Sequence, residues 1–213
     1  DAVKGHFYDG GSMASTPAGE VYAAFVDVSS SVVRVWRAAK HDAQFELLAN
    51  PFPGLIAATH PRLRASRDGW LYAAVTVVDQ GGFIVYVNRY RNGQWAKAVQ
   101  ASEHTVSYPE VNLGTTVQGA ALNIRTGPQY SFDVGAASEG GNDALRFLYT
   151  RRSSSGRLYV EGSACAADLS GCHPVPGWKA GPSAPDATPL DVFNPAVAAW
   201  EGFIGLPPHW TSS

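Results

Sequence analysis

The sequence is short of charge. Asp, Glu, Lys and Arg make up only 16% of its 213 residues, against about a quarter in a typical globular protein. Long solvent-facing helices draw on Lys, Glu and Leu, so this scarcity argues against a helical protein. No run approaches the roughly 18 apolar residues of a membrane-spanning helix. A basic segment followed by a short apolar one is also missing, so no signal peptide is expected within the chain. The first residue is Asp1 rather than Met, which suits a processed mature protein or a fragment. The formal net charge is −2 and the pI about 6.3. A general nucleic-acid binder carries a basic footprint, and none is expected here. Arg62, Arg64, Arg67, Arg89 and Arg91 do fall close together, but strand alternation would spread them over different solvated faces. An Asn-x-Ser/Thr sequon is absent as well, so glycosylation says nothing about compartment.

Cysteine is nearly absent too. Cys165 and Cys172 are the only two, and they flank the polar loop CAADLSGC. A disulfide closing this loop is expected, and with it an oxidising, secreted or periplasmic setting. Metal ligation is the weaker reading. His173 is the only nearby histidine, and zinc needs a second ligand pair at suitable spacing.

What the chain does have is glycine (22 residues), proline (14) and a 45% apolar share, the balance of strands and tight turns. From His60 to about Gln100 the order is regular. HPRLRAS leads into Asp68-Gly69, WLYAAVTVVD ends at Gln80-Gly81-Gly82, FIVYVNRYR ends at Asn92-Gly93, and QWAKAV follows. Turn signals at intervals of about ten residues predict a four-strand antiparallel meander. The unit recurs. VYAAFVDV at 21–28 matches LYAAVTVV at 71–78, and FDVGAASE, LRFLYTRR and RLYVEG repeat the order farther on. A polar residue before proline marks HPRLRAS, YPEVNLG and NPAVAAW, with Pro61, Pro109 and Pro195 standing 48 and 86 residues apart. Proline is tolerated at a strand's first residue, where its missing N–H is not needed.

Four-strand units at this spacing predict an all-β fold, a β-propeller of four-stranded antiparallel blades. A sandwich or jelly roll would explain the strands but not their recurrence in one order. The expected blades cover about 12–50, 60–102 and 108–164, the last with an insertion, and a partial blade covers 190–213. Either the N-terminal DAVKGHFYDGG closes a compact four-bladed ring, or another chain or subunit supplies further blades. An unfinished array would leave open sheet edges, an aggregation hazard, and the second is favoured because only about 30 residues would have to make a blade that elsewhere takes over 40. The missing Trp-Asp signature argues against the WD40 variety.

The segment HPRLRASRDGWLYAAV resembles blades of the sialidase-type propellers that carry BNR repeats. That family's Asp-box reads Ser-x-Asp-x-Gly-x-Thr-Trp. Here Ser66-Arg67-Asp68-Gly69-Trp70 keeps the Ser and Asp, brings the Gly one position early and loses the Thr-Trp spacing. It is therefore expected to act as a structural turn. Similar blades occur in sialidases, polysaccharide lyases and sugar-binding lectins, so the resemblance implies extracellular glycan chemistry without choosing among hydrolysis, elimination and binding.

In such a fold the first strand of each blade lines the axis, where His60, Tyr108 and Asn194 would converge as equivalent positions. His60 and Tyr108 form a reasonable acid/base pair for removing a proton beside a uronate carboxylate, with Arg64 and Arg62 to neutralise that carboxylate. Glu110, Asn112 and Asn194 join Arg62 as expected substrate-binding residues, and Trp178, in a Pro/Gly-rich stretch with Trp210, as an exposed sugar platform. The structural alternative is that the pre-proline residues cap strands and that Arg62 and Glu110 form an inter-blade ion pair. A sialidase would need three arginines, a Tyr/Glu pair and an acid. Arg64, Arg125, Arg146, Tyr108 and Asp133 can be nominated, but no spacing singles them out. No cofactor is expected. EGGND at 139–143 lacks the spacing of an EF-hand loop and leaves only a structural calcium open. The expected partner is a glycan or polysaccharide, with a lectin-like binding module or a purely structural subunit as the rival readings. The three pre-proline residues differ from one another, which fits one asymmetric site better than several repeated ones.

Overall fold

VYAAFVD and LYAAVTVVD are continuous apolar runs rather than alternating ones, the pattern of strands covered on both faces. The computed structural model describes residues 7–40, 43–79, 82–102, 110–117, 120–125, 130–135, 143–152, 158–180, 198–200 and 203–205. Among the described residues there is no helix. Four strands, β1 (Tyr8–Ser15), β2 (Val21–Asp27), β3 (Val32–Ala38) and β4 (Glu46–Leu47), form the first sheet in chain order. The second sheet has β5 (Ala58–Ala65), β6 (Leu71–Asp79) and β7 (Gly82–Arg91), with β8 (Gln94–Trp95) and β9 (Val99–Gln100) both pairing with β7. A hairpin of β10 (Glu110–Val117) and β11 (Ala120–Arg125) follows. The third large sheet has β12 (Tyr130–Val134), β13 (Asp143–Arg152), β14 (Leu158–Ala166) and β15 (Cys172–Ala180). A last pair, β16 (Ala198–Trp200) and β17 (Phe203–Gly205), completes the described strands. Every pairing is antiparallel.

Two cores show how the sheets stack. Tyr22, Ala24, Val26, Val33 and Val35 of the first sheet bury against Leu63, Leu71, Ala73 and Val75 of the second. The alternate residues of β6, Tyr72 and Ala74, bury instead with Val85 and Val87 against Tyr130, Phe132, Leu145, Phe147 and Tyr149 of the third sheet. The second sheet is therefore sandwiched, as a propeller blade is, and each fully buried side chain of this kind contributes about 1.5–3 kcal/mol. The first strands touch in the order β1, β5, β12, β16, which sets them around a common axis. The fold is an all-β, propeller-type array of four-stranded sheets. The third large sheet begins at Tyr130, and the hairpin β10–β11 does not separate it from the second sheet.

The turns explain the pairing. Thr16–Glu20 and Ser66–Trp70 are matching turns in which the N–H of the first residue bonds the carbonyl of the fifth, at 3.0 and 2.8 Å. Each places a glycine, Gly19 or Gly69, at φ near +85°, where a side chain is disfavoured. The Asp-box-like Ser66–Trp70 segment is thus a structural turn. Asn92 and Gly93, at φ +52° and +84°, make the tight two-residue hairpin between β7 and β8 that their sequence predicts. Cys165 and Cys172 are disulfide-bonded across opposed positions of β14 and β15.

Candidate functional site

The first two sheets superimpose residue by residue at an offset of 50 over their first hairpins: Met13 opposes Ala23 as Leu63 opposes Ala73. Each first strand also carries a bulge at the same place. In β1 the register slips between Asp9 and Gly11, and in β5 between Thr59 and Arg62. The bulged residues are Gly10, at φ +53°, and its equivalent His60, at φ +52°. Pro61 has no N–H to give the ladder, which favours a bulge at that point. The left-handed backbone suits glycine, whereas a side chain there costs roughly 1–2 kcal/mol. The second blade nevertheless places a histidine in it.

His60 is held on both sides. Its carbonyl accepts a hydrogen bond of 2.7 Å from the Tyr130 hydroxyl, which also lies 2.8 Å from the Ala74 carbonyl. Its Nδ1 stands 3.0 Å from Thr59 Oγ1, which stands 3.1 Å from Thr76 Oγ1, and Thr76 donates to the Thr59 carbonyl at 3.2 Å. One arrangement uses every donor in turn: Nδ1–H to Thr59, Thr59 to Thr76, Thr76 to the carbonyl. It leaves Nε2 as the ring nitrogen that carries the lone pair. Partial burial lowers the imidazole pKa below its ordinary 6.5, Arg62 lowers it further, and Asp9 opposes both. Neutral histidine is the form able to accept a proton.

The neighbours are charged. Arg62 is exposed on β5. Arg64, half-buried, reaches Asp133 of β12 at 3.4 Å, donates to the Leu63 carbonyl at 2.9 Å and lies 5.8 Å over the Phe132 ring. Asp133 stands opposite Arg146 in the β12–β13 register, and Arg146 is itself buried on the second strand of that sheet. Ser12 of β1 accepts the Leu63 N–H at 2.9 Å and ties the two first strands together. The equivalents of Arg62 and Arg64 in the first sheet are Ser12 and Ala14, so the first sheet lacks the arginine pair.

Other expected residues are placed elsewhere. Tyr108 and Asn194 lie outside the described residues. Glu110 and Asn112 sit on β10, opposite Arg125 and Asn123, in the separate hairpin. Trp178 is on β15, the strand of its sheet farthest from β12. Arg89 and Arg91 lie 4.3 and 5.2 Å over the Trp70 ring, apart from the axial pair. The loop 139–142 lies outside the described residues. No group of three or more His, Cys, Asp or Glu is placed to hold a metal among the described residues, and no described helix is long and apolar enough to cross a membrane. Sequence reasoning missed Asp9, Thr59, Thr76 and Tyr130. The signal for the first was readable, because the offset of 50 between VYAAFVDV and LYAAVTVV carries Asp9-Gly10-Gly11 onto Thr59-His60-Pro61.

No family model and no curated protein matches the sequence. Among solved structures the chain is similar to a glycosyl hydrolase from Bacteroides ovatus, with a TM-score of 0.42 and 12% identity over 89% of this chain and 53% of that one. The chain thus spans about half the length of that structure. A likeness this loose carries no assignment of activity.

Proposed function

We propose that this is a carbohydrate-active protein of an oxidising compartment that acts on an acidic glycan at the propeller axis by β-elimination. The observation that carries the reading is the histidine in a backbone position that the preceding blade gives to glycine. The equivalent bulge forms at Gly10 without a side chain, which supports a role for the imidazole beyond the fold. His60 Nε2 takes the proton on the carbon beside the uronate carboxylate. The C–H electron pair becomes the new carbon–carbon double bond, and the glycosidic oxygen leaves with a proton from an acid, for which Tyr108 is the proposed group. Arg62, with Arg64, offsets the carboxylate charge that grows as the proton departs. Glu110, Asn112, Asn194 and Trp178 remain proposed substrate contacts. The Cys165–Cys172 disulfide supports the secreted or periplasmic setting.

The Arg64–Asp133 ion pair favours a second reading, a lectin-like binder, because it neutralises one of the two axial cations. Incubation with pectate, alginate, hyaluronan and heparan sulfate, read by the ultraviolet absorbance of the unsaturated uronate, separates the two. Absorbance that grows with wild type and is lost in His60→Gln supports elimination. Binding on a glycan array without product supports the lectin, and neither product nor binding refutes the glycan reading altogether.

A further inference from the structure

The matching turns of the first two sheets end in different residues, Glu20 in one and Trp70 in the other. Around Glu20 the first sheet closes a charge cluster. Arg37, opposite Tyr22 in the β2–β3 register, donates from Nε and Nη2 to Glu20 Oε1 at 2.9 and 2.6 Å. Its Nη1 reaches Glu46 of β4 at 2.9 Å, and the Tyr22 hydroxyl donates to Glu20 at 3.2 Å. Here one cation is met by two carboxylates.

The second sheet keeps the cation and loses both carboxylates. Arg89 stands opposite Tyr72 as Arg37 stands opposite Tyr22. Trp70 takes the place of Glu20, and Ala96, whose N–H bonds the Arg89 carbonyl at 2.9 Å, takes that of Glu46. Arg89 Nη1 and the Tyr72 hydroxyl turn instead to a neutral acceptor, the Ala167 carbonyl, at 3.1 and 2.9 Å. Arg89 Nε, whose equivalent donates to Glu20, is buried without a hydrogen-bond partner. A second guanidinium, that of exposed Arg91, lies over the same indole, two residues along β7 and so on the same face. Among the described residues neither arginine forms an ion pair. Asp68 and Asp168 act on this group from exposed positions, and Asp168 Oδ1 already accepts the Ser170 N–H at 2.9 Å.

We propose that Arg89, Arg91 and Trp70 form a second anion site, at the rim where the second and third sheets meet, for a carboxylate or sulfate group of an acidic glycan chain. The external group supplies the charge that Glu20 supplies within the first sheet, and Arg91 presents the planar fork that pairs with such a group. The site lies at the Ser66–Trp70 turn, the opposite end of β5 from His60, so roughly 17 Å of strand separates it from the axial group. The choice of a glycan rests on the function proposed above, whereas the anion site rests on the difference between the two sheets.

Proton–nitrogen NMR of the whole chain reads the site through the Arg89 Nε–H and the Trp70 indole N–H. The probes are trigalacturonate, which carries carboxylates only, a κ-carrageenan disaccharide, which carries sulfate only, and methyl-esterified trigalacturonate as the neutral control. Both signals should move with at least one acidic probe, which then names the group bound, and stay in place with the ester. Added salt should weaken the binding. Arg91→Gln, at an exposed position, should weaken it ~10-fold or more at an unchanged melting temperature. Trp70→Glu, which restores the carboxylate of the first sheet, should abolish it, and Arg62→Gln at the axis should leave it as in wild type. No movement with either acidic probe overturns the proposal, whatever the absorbance assay for elimination gives. Equal movement with the ester overturns it by removing charge from the recognition. Unchanged affinity in Arg91→Gln overturns it as well, and loss of binding in Arg62→Gln does so by assigning the anion to the axial group.

Discussion

The hydroxyl of Tyr130 donates to the backbone carbonyl of His60 at 2.7 Å, from the first strand of one sheet to the first strand of its neighbour. The same hydroxyl reaches the Ala74 carbonyl beside the bulge at 2.8 Å. Burial pushes the phenol pKa well above its ordinary range, so the group remains a donor at every pH of interest. A left-handed histidine therefore rests on a buried tyrosine supplied by the next blade.

Tyr130→Phe removes that donor and leaves two carbonyls without it. The expected loss is about 1–3 kcal/mol, or several degrees in melting temperature for a chain of this size. Thermal unfolding checks it. A neutral substitution would show that the bulge is held by the strand ladder alone.

Leu63 and Met13 occupy equivalent positions with opposite burial, 0% and 63% exposed. Leu63→Ala should cost about 2–5 kcal/mol through the cavity it leaves between the first and second sheets. Met13→Ala should fall within about 0.5 kcal/mol of wild type. Urea unfolding of the pair tests the repeat alignment, and equal costs would break it.

His60 should titrate below its ordinary 6.5, because burial comes first among the causes and Arg62 second. The sign follows from linkage. Since the folded-state pKa is depressed, the stability tied to neutral His60 is complete above 6.5 and is lost as pH falls from there through the lowered value. Product formation should fall over the same acid range, where the base becomes protonated. Proton NMR of the imidazole reads the midpoint directly. Arg62→Gln should raise it and Asp9→Asn lower it further, since Asp9 acts in the opposite direction. A midpoint at or above 6.5 would remove the histidine from the role of a neutral base.

The meander was legible because its signals are local. Asp68-Gly69 and Asn92-Gly93 name their turns outright, and the apolar runs of β2 and β6 declare burial on both faces. The bulge was not legible, because YDGGSMAS and ATHPRLRA share almost no residue types although their backbones coincide. A glycine and a histidine reach the same φ by different means, one by lacking a side chain and the other through neighbours that hold it. The start of the third large sheet was misleading for a related reason. A polar residue before proline reports where a strand can begin, but says nothing about its partner, and the strand after Tyr108-Pro109 pairs into a hairpin instead. Tyr130 could not be found by pattern at all, since its acceptor lies 70 residues earlier.

The most direct measurement is the stability and the product formation of His60→Gly, taken together. Glycine is what the equivalent backbone position already holds in the preceding blade, at Gly10. If His60 serves a ligand rather than the fold, the variant unfolds at the same or a higher denaturant concentration, with a gain of up to about 1 kcal/mol, and forms no unsaturated uronate. A variant that loses stability, or that still forms product, would contradict the account.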